Sequence, residues 1–199
     1  VSVLSRRAAT ADARRATEQA LLDATVALLD EGDAYAAISI EQIVRRAGVS
    51  RPTFYAYFRD KRALVLQLGD EVRRELVAVA EPWLRGDDDD AAGTLEALLD
   101  VYLRYASTVR AVTEATTYDQ DVAALWRGLH DGFLPAVEAR IRAGHPDLAD
   151  ERVAARAYAL VWMTERALSD NAARPTVDRD ALIAELARIW DDATSPTGA

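Results

Sequence analysis

The stretch "ISIEQIVRRAGVSRPTFYAYFRDK", residues 38–61, constrains the fold most, because it carries two helix starts only eleven residues apart. Ser39 precedes an apolar run, and Gln42 follows three positions later. That is the spacing of a capping box, in which each residue satisfies the other's free backbone N–H. Ile40, Ile43, Val44 and Ala47 make one helical face, and Gly48 ends it. Ser50 then opens a second short helix. Pro52 sits in its first turn, where a missing N–H costs nothing. Two short helices with a glycine-containing turn between them form a helix-turn-helix.

The rest of the chain also reads as helix. Strand-like alternation bounded by turn residues is absent, so the fold class is all-α, with about nine helices. The first is predicted from Asp12 to Glu31, with Ala16, Ala20, Leu21, Ala24, Leu28 and Leu29 on one stripe and residues 1–11 outside it as a disordered start. Asp60 caps a fourth helix that reaches Leu84. Further helices are predicted at about 94–107, 109–116, 119–142, 151–173 and 178–194. Pro135 is expected to kink the seventh, and the tail "TSPTGA" to fray. The loop "GDDDDAAG", residues 86–93, lacks the alternating ligands and terminal Glu of a calcium loop, and reads as a solvated connection.

Composition removes whole classes of chemistry. There is no cysteine, hence no disulfide and no thiolate. Two histidines, His130 and His145, are too few for a His-rich metal site. No Ser nucleophile elbow or glycine-rich phosphate loop is present, and His130 and Asp131, adjacent in sequence, point to different faces of a helix. No catalytic residue, metal ligand or cofactor is assigned. No apolar run is long enough to span a bilayer, and the N-terminus lacks the apolar core of a signal peptide, so a cytoplasmic location is expected. The net charge is -9, yet residues 1–62 hold ten Lys/Arg against eight Asp/Glu, a local +2. The acidic excess lies elsewhere, and a basic N-terminal face is compatible with phosphate.

A helix-turn-helix places its second helix in the major groove of DNA. Arg51, Thr53 and Tyr57 would then lie towards the groove, while Phe54 and Phe58, four apart, would turn back into the core. Tyr55 and Tyr57 carry a hydroxyl beyond an apolar ring, suited to a phosphate oxygen. Lys61, the only lysine of the chain, opens the fourth helix, where its charge and the free N–H groups would converge on one phosphate. With the two caps, the expected DNA-binding set is Ser39, Ser50, Arg51, Thr53, Tyr55, Tyr57 and Lys61.

On Ile43, Ala47, Gly48, Val49, Ser50, Thr53, Tyr55, Phe58 and Lys61, the segment resembles the DNA-binding domain of TetR-family transcriptional regulators. The resemblance implies a homodimer with a helix-turn-helix domain, here residues 12–59, and a ligand-binding and dimerisation domain, here residues 60–195. It also implies that a small effector alters the spacing of the two DNA-binding heads. "AVTEA…VAALWRGLHDGF" and "WMTERAL" are similar to the EthR-like subgroup, whose relatives bind lipophilic ligands in a long channel. By that likeness Trp126, Phe133, Trp162 and Thr164 fall on or near channel-lining positions, with Tyr105 and Trp190. The chain departs from the subgroup at Val161 and Thr164, where that pattern has asparagines, and at Thr94, where it has an aromatic.

Residue spacing adds to this. Tyr102 and Tyr105 share a face with Leu98 and Leu99, and Trp126, Leu129 and Phe133 form another stripe. Facing aromatic stripes either pack together or frame a slot. The expected ligand-binding set is Tyr102, Tyr105, Trp126, Phe133, Trp162 and Thr164, for a small and lipophilic effector. Glu165 and Arg166 interrupt an apolar helix, as a polar network behind the ligand or as surface pairing. Ala155, Ala159, Val161, Trp162, Leu182, Ile183, Leu186, Ile189 and Trp190 give the last two helices apolar stripes suited to a four-helix dimer bundle. A twofold dimer calls for a roughly palindromic operator. The function expected is that of a repressor released from double-stranded operator DNA by the effector.

Overall fold

The computed structural model describes the backbone of residues 3–195 and side-chain surroundings from residue 11 to residue 195. The predicted fraying tail falls largely on residues 196–199, outside the described residues. The described residues form nine α-helices and no strand: α1 (Val3–Asp30), α2 (Ile40–Ala47), α3 (Arg51–Tyr57), α4 (Lys61–Arg85), α5 (Ala91–Arg104), α6 (Ala106–Ala115), α7 (Gln120–Gly144), α8 (Asp150–Ala173) and α9 (Arg179–Thr194).

Several boundaries differ from the expectation. The helix predicted to start at Asp12 already runs from Val3, so residues 3–11 are helical. Ala16 is exposed, whereas Leu21, Leu22, Ala24, Leu28 and Leu29 are buried. The aspartate loop is shorter than expected. Asp90 is the N-cap of α5, its carboxylate accepting from the Gly93 N–H at 2.8 Å, so the helix begins three residues before Thr94. Pro135 lies inside α7, which continues through it to Gly144.

Helices α1 to α3 form a small head. Ile43, Val44, Phe54 and Phe58 close its core against Leu21, Leu22 and Leu29 of α1. Phe54 and Phe58 do turn inward together, with ring centroids 5.7 Å apart. Gly48, with φ of 68°, makes the left-handed turn between α2 and α3 that a side chain would strain.

Helix α4 leaves the head and enters the larger bundle, where it packs against α5, α6 and α7, and α5 and α7 in turn pack on α8 and α9. In the first half of α4 the bundle closes in on Gly69. A Cβ there would stand 3.1 Å from Leu125 Cδ2 and 3.4 Å from Val112 Cγ2. Side chains of α6 and α7 thus pack close against α4 where it lacks one of its own. The head is also tied to α6 directly, because Arg110 donates to the Leu29 carbonyl at 2.7 Å. Glu114 accepts from the N–H groups of Tyr35 at 3.1 Å and Ala36 at 3.0 Å.

Candidate functional site

The outer surface of the head is built from two local caps. Ser39 Oγ accepts from the Gln42 N–H at 3.2 Å, and Gln42 Oε1 accepts from the Ser39 N–H at 2.8 Å, completing the capping box. Ser50 Oγ accepts from the Thr53 N–H at 3.2 Å and lies 2.7 Å from Thr53 Oγ1. The hydroxyls of Ser39, Ser50 and Thr53 thus hold the ends of α2 and α3. Arg51 and Tyr55 stand exposed beside each other, Arg51 Nη2 donating to the Tyr55 hydroxyl at 3.4 Å. The Arg14 guanidinium lies 5.6 Å from the ring centre of the half-buried Tyr57, a contact between α1 and α3. Arg51 with Tyr55 and Arg14 with Tyr57 thus form two separate cation–aromatic pairs on the head.

Lys61 departs from the expectation. Its ammonium does not stand free at the start of α4. It donates to three backbone carbonyls of the α1–α2 connection: Tyr35 at 2.6 Å, Ile38 at 2.8 Å and Ala36 at 3.2 Å. It also lies 4.4 Å from the Tyr35 ring centre. An ammonium has three donors, and all three are used within the head. Burial holds its pKa below the ordinary lysine value. The same residue sequence reasoning gave to a phosphate is a clasp across a loop.

In the larger bundle, α4, α5, α7, α8 and α9 surround a cavity with about 650 Å³ of atom-free space, its mouth included. Its walls are Leu76, Ala80, Trp83 and Leu84 of α4, Ala91, Thr94, Leu95, Leu98 and Tyr102 of α5, His130, Phe133 and Val137 of α7, Val161, Thr164, Glu165 and Leu168 of α8, and Trp190 of α9. The three positions at which the chain departs from the subgroup pattern, Thr94, Val161 and Thr164, all lie on this wall.

Of the six residues expected at the ligand, Tyr102, Phe133 and Thr164 line the cavity. Tyr105, Trp126 and Trp162 do not. Tyr105 turns away and donates its hydroxyl to Glu75 Oε1 at 2.6 Å. Trp126 is seven residues before Phe133, two turns along α7, and packs above the cavity against His130, at 5.3 Å between ring centres. Trp162 stacks on the other side of His130 at 4.5 Å and 27°. Both tryptophans thus support a wall residue. Thr164 accepts a hydrogen bond from Trp190 Nε1 at 2.9 Å, and Trp190 meets Trp83 edge to face at 5.2 Å. Thr164 therefore fixes an aromatic pair of the wall.

The wall residue His130 went unassigned by sequence reasoning, and Glu165 was left between a polar network behind the ligand and surface pairing. His130 is buried, with Nδ1 2.7 Å from the Trp126 carbonyl oxygen. A carbonyl only accepts, so Nδ1 carries the proton and the neutral ring leaves Nε2 as a bare acceptor. Nε2 has no partner. Burial lowers the His130 pKa, which keeps the ring neutral. Glu165 is half-buried at the cavity wall, while Arg166 points to solvent and pairs with Asp170 at 3.3 Å. Burial raises the Glu165 pKa. The Tyr102 hydroxyl pKa is pushed up by burial and then by the Glu165 charge. The signal for His130 was its place four residues after Trp126 and three before Phe133, on the aromatic stripe of α7.

The stripes assigned to dimerisation divide. Val161, Ile183, Leu186 and Trp190 are buried within this chain's own core, against α5 and α7. A single stripe cannot face both ways, and these residues are removed from an intermolecular surface. Ala155, Tyr158 and Ala159 of α8 are exposed, and Trp162, Leu182 and Ile189 are half-buried. Among the described residues no group of three or more His, Asp or Glu side chains could hold a metal ion, and no helix is long and apolar enough to cross a membrane.

Comparison with known proteins agrees with this architecture. Residues 21–68 match the family model of bacterial regulatory proteins of the tetR family, and residues 91–194 match that of the C-terminal domain of the transcriptional regulator EthR. The chain is 29% identical over 183 residues to the HTH-type transcriptional regulator EthR of Mycolicibacterium smegmatis, covering 86% of this chain and 83% of that protein. It is 30% identical over 177 residues to EthR of Mycobacterium tuberculosis H37Rv, covering 84% and 82%. Among solved structures, a transcriptional regulator from Aquifex aeolicus superposes with a TM-score of 0.66 at 16% identity, covering 86% of this chain and 96% of that one. The MbdR regulator from Azoarcus does so with a TM-score of 0.63 at 18% identity, covering 89% and 98%. These structural likenesses carry the fold. Regulators of the tetR family are in general ligand-responsive, DNA-binding repressors that bind as dimers. With its helix-turn-helix head and its match to the C-terminal domain of EthR, the chain belongs to the TetR family of transcriptional regulators, close to the EthR-like subgroup.

Proposed function

We propose that the chain is a repressor that leaves a palindromic operator when a small lipophilic molecule enters the bundle cavity. The observation that carries this reading is one continuous helix, α4, which clasps the head at Lys61 and forms a cavity wall from Leu76 to Leu84. A ligand that changes the wall acts on the element that carries the head. Residues 12–59 serve as the DNA-binding part and 60–195 as the ligand-binding and dimerisation part. Two copies meet through the outer faces of α8 and α9, along Ala155, Tyr158 and Ala159, and the protein works in the cytoplasm.

At the operator, Arg51 and Thr53 face bases, and Tyr55 and Tyr57 take phosphates. Ser39 and Ser50 act by holding the helix ends, and Lys61 by holding the head together. In the cavity, Tyr102, Phe133 and Thr164 meet the ligand, and Trp126 and Trp162 act through His130. The test is an anisotropy titration with fragments of the source genome, followed by Arg51→Ala and Tyr57→Ala. Both variants should lose affinity, by about 1–3 kcal/mol for a lost base contact. Unchanged affinity in both would sink the assignment of α3 to the groove.

A further inference from the structure

The wall of the bundle cavity is almost wholly apolar, and no lysine or arginine is among its residues. Its polar atoms are few. The Trp190 indole N–H donates to the Thr164 hydroxyl at 2.9 Å, so these two groups serve each other. His130 Nδ1 donates to the Trp126 carbonyl at 2.7 Å. His130 Nε2 and the Trp83 indole nitrogen have no partner, yet both are buried too deeply in the packing to touch a molecule in the cavity. Glu165 has the Ser169 hydroxyl bonded to its carboxylate and the Arg166 charge beside it. That leaves the hydroxyls of Thr94 and Tyr102, two neutral groups among methyl, methylene and ring carbon.

A molecule that enters this space gives up its hydrogen bonds to water. For a hydroxyl, a carbonyl or an amine the wall returns little in exchange, and an unpartnered polar group in an apolar space is strongly disfavoured. A charged head is disfavoured further. An anion meets no cation on the wall, and the Glu165 carboxylate is already partnered. Alkyl and aryl carbon lose nothing on entry and gain the burial of their surface. The rings of Trp83, Phe133 and Trp190 offer faces and edges to an aryl group.

We propose that the cavity selects a hydrocarbon, a molecule of alkyl and aryl groups with no hydrogen-bonding atom. This rests on the reading of the cavity as the effector site and narrows it from lipophilic molecules in general to one chemical class. The wall discriminates by what it withholds: a hydroxylated, carbonyl-bearing or charged molecule of the same shape fits the space and is refused for want of a partner.

The experiment compares four molecules of matched size on the full chain at neutral pH: pentylbenzene, 4-phenylbutan-1-ol, 4-phenylbutan-2-one and 4-phenylbutylamine. Binding is read by the change in fluorescence of the wall tryptophans and by the rise in melting temperature. Pentylbenzene should bind about a thousandfold or more tighter than each of the other three. Leu98→Trp and Ala80→Leu, on two sides of the wall, each fill part of the space. Both should weaken pentylbenzene about tenfold or more, with a cooperative melting transition showing that each variant is folded. An alcohol, ketone or amine that binds within about a hundredfold of pentylbenzene would overturn the hydrocarbon assignment and leave the cavity as the effector site. Pentylbenzene affinity unchanged in both folded variants would place the molecule elsewhere and overturn the inference. No binding by any of the four would overturn the cavity reading and this inference with it.

Discussion

Lys61 and Tyr35 bind each other in both directions. The Lys61 ammonium donates to the Tyr35 carbonyl at 2.6 Å, and the Tyr35 hydroxyl donates to the Lys61 carbonyl at 2.9 Å. The start of α4 is thereby locked to the connection between α1 and α2, and two further carbonyls join the clasp. Lys61→Met keeps the length of the side chain and removes the donors. It should destabilise the protein by about 1–3 kcal/mol, measured by urea unfolding. The salt dependence of DNA binding should keep its slope, because a clasping cation releases no counterion. A phosphate-binding lysine would lower the slope by about one.

Glu114 holds the same connection from the other side. Its carboxylate takes the N–H groups of Tyr35 and Ala36, and no other acceptor serves them. Glu114→Ala should raise the hydrogen-exchange rate of those two amides by about tenfold or more, while amides in the core of α8 stay protected. DNA affinity should fall in parallel, since the head is less firmly set on α6.

Thr164→Val preserves shape and removes an acceptor. The indole N–H of Trp190 would then be buried without a partner, at a cost of about 1–3 kcal/mol in thermal unfolding. Thr164→Leu, which also adds volume to the cavity wall, should in addition weaken whatever response the DNA complex shows to cavity ligands.

His130 makes stability depend on pH in a defined direction. Its folded pKa lies below the ordinary value of 6.5 because the ring is buried. Between that lower value and 6.5 the unfolded chain binds the proton that the folded chain refuses, so stability falls as pH drops below about 6.5. His130→Phe keeps the stack with Trp162 and removes the titration. Melting curves between pH 7.5 and 5 should fall less steeply for the variant than for the unaltered protein.

The parts of the fold written in neighbouring residues were legible. Ser39 with Gln42, Ser50 with Thr53, and Asp60 with Ala63 are bonds across three positions, and each bounds a helix where the sequence puts it. The clasp of Lys61 was not legible because its partners are backbone carbonyls 23 to 26 residues away, and a carbonyl leaves no mark in a sequence. Asp90 was hidden in a run of four aspartates, any of which has the chemistry of a cap. Helical spacing found the aromatic stripe of α7 but not its depth. Trp126 and Phe133 share the stripe, yet only Phe133 reaches the cavity. Glu165 and Arg166 differ by one position, about 100° around the helix, and only packing shows which of them faces inward.

The close approach at Gly69 gives α4 unequal arms. From Gly69 to Lys61 is about 12 Å along the helix, and from Gly69 to Trp83 about 21 Å, at 1.5 Å per residue. If α4 tilts as a rigid rod about this point, a push on Trp83 from within the cavity reaches the head reversed in direction and reduced to roughly half. On that condition the joint would exchange amplitude for force, its two ends moving in opposite senses.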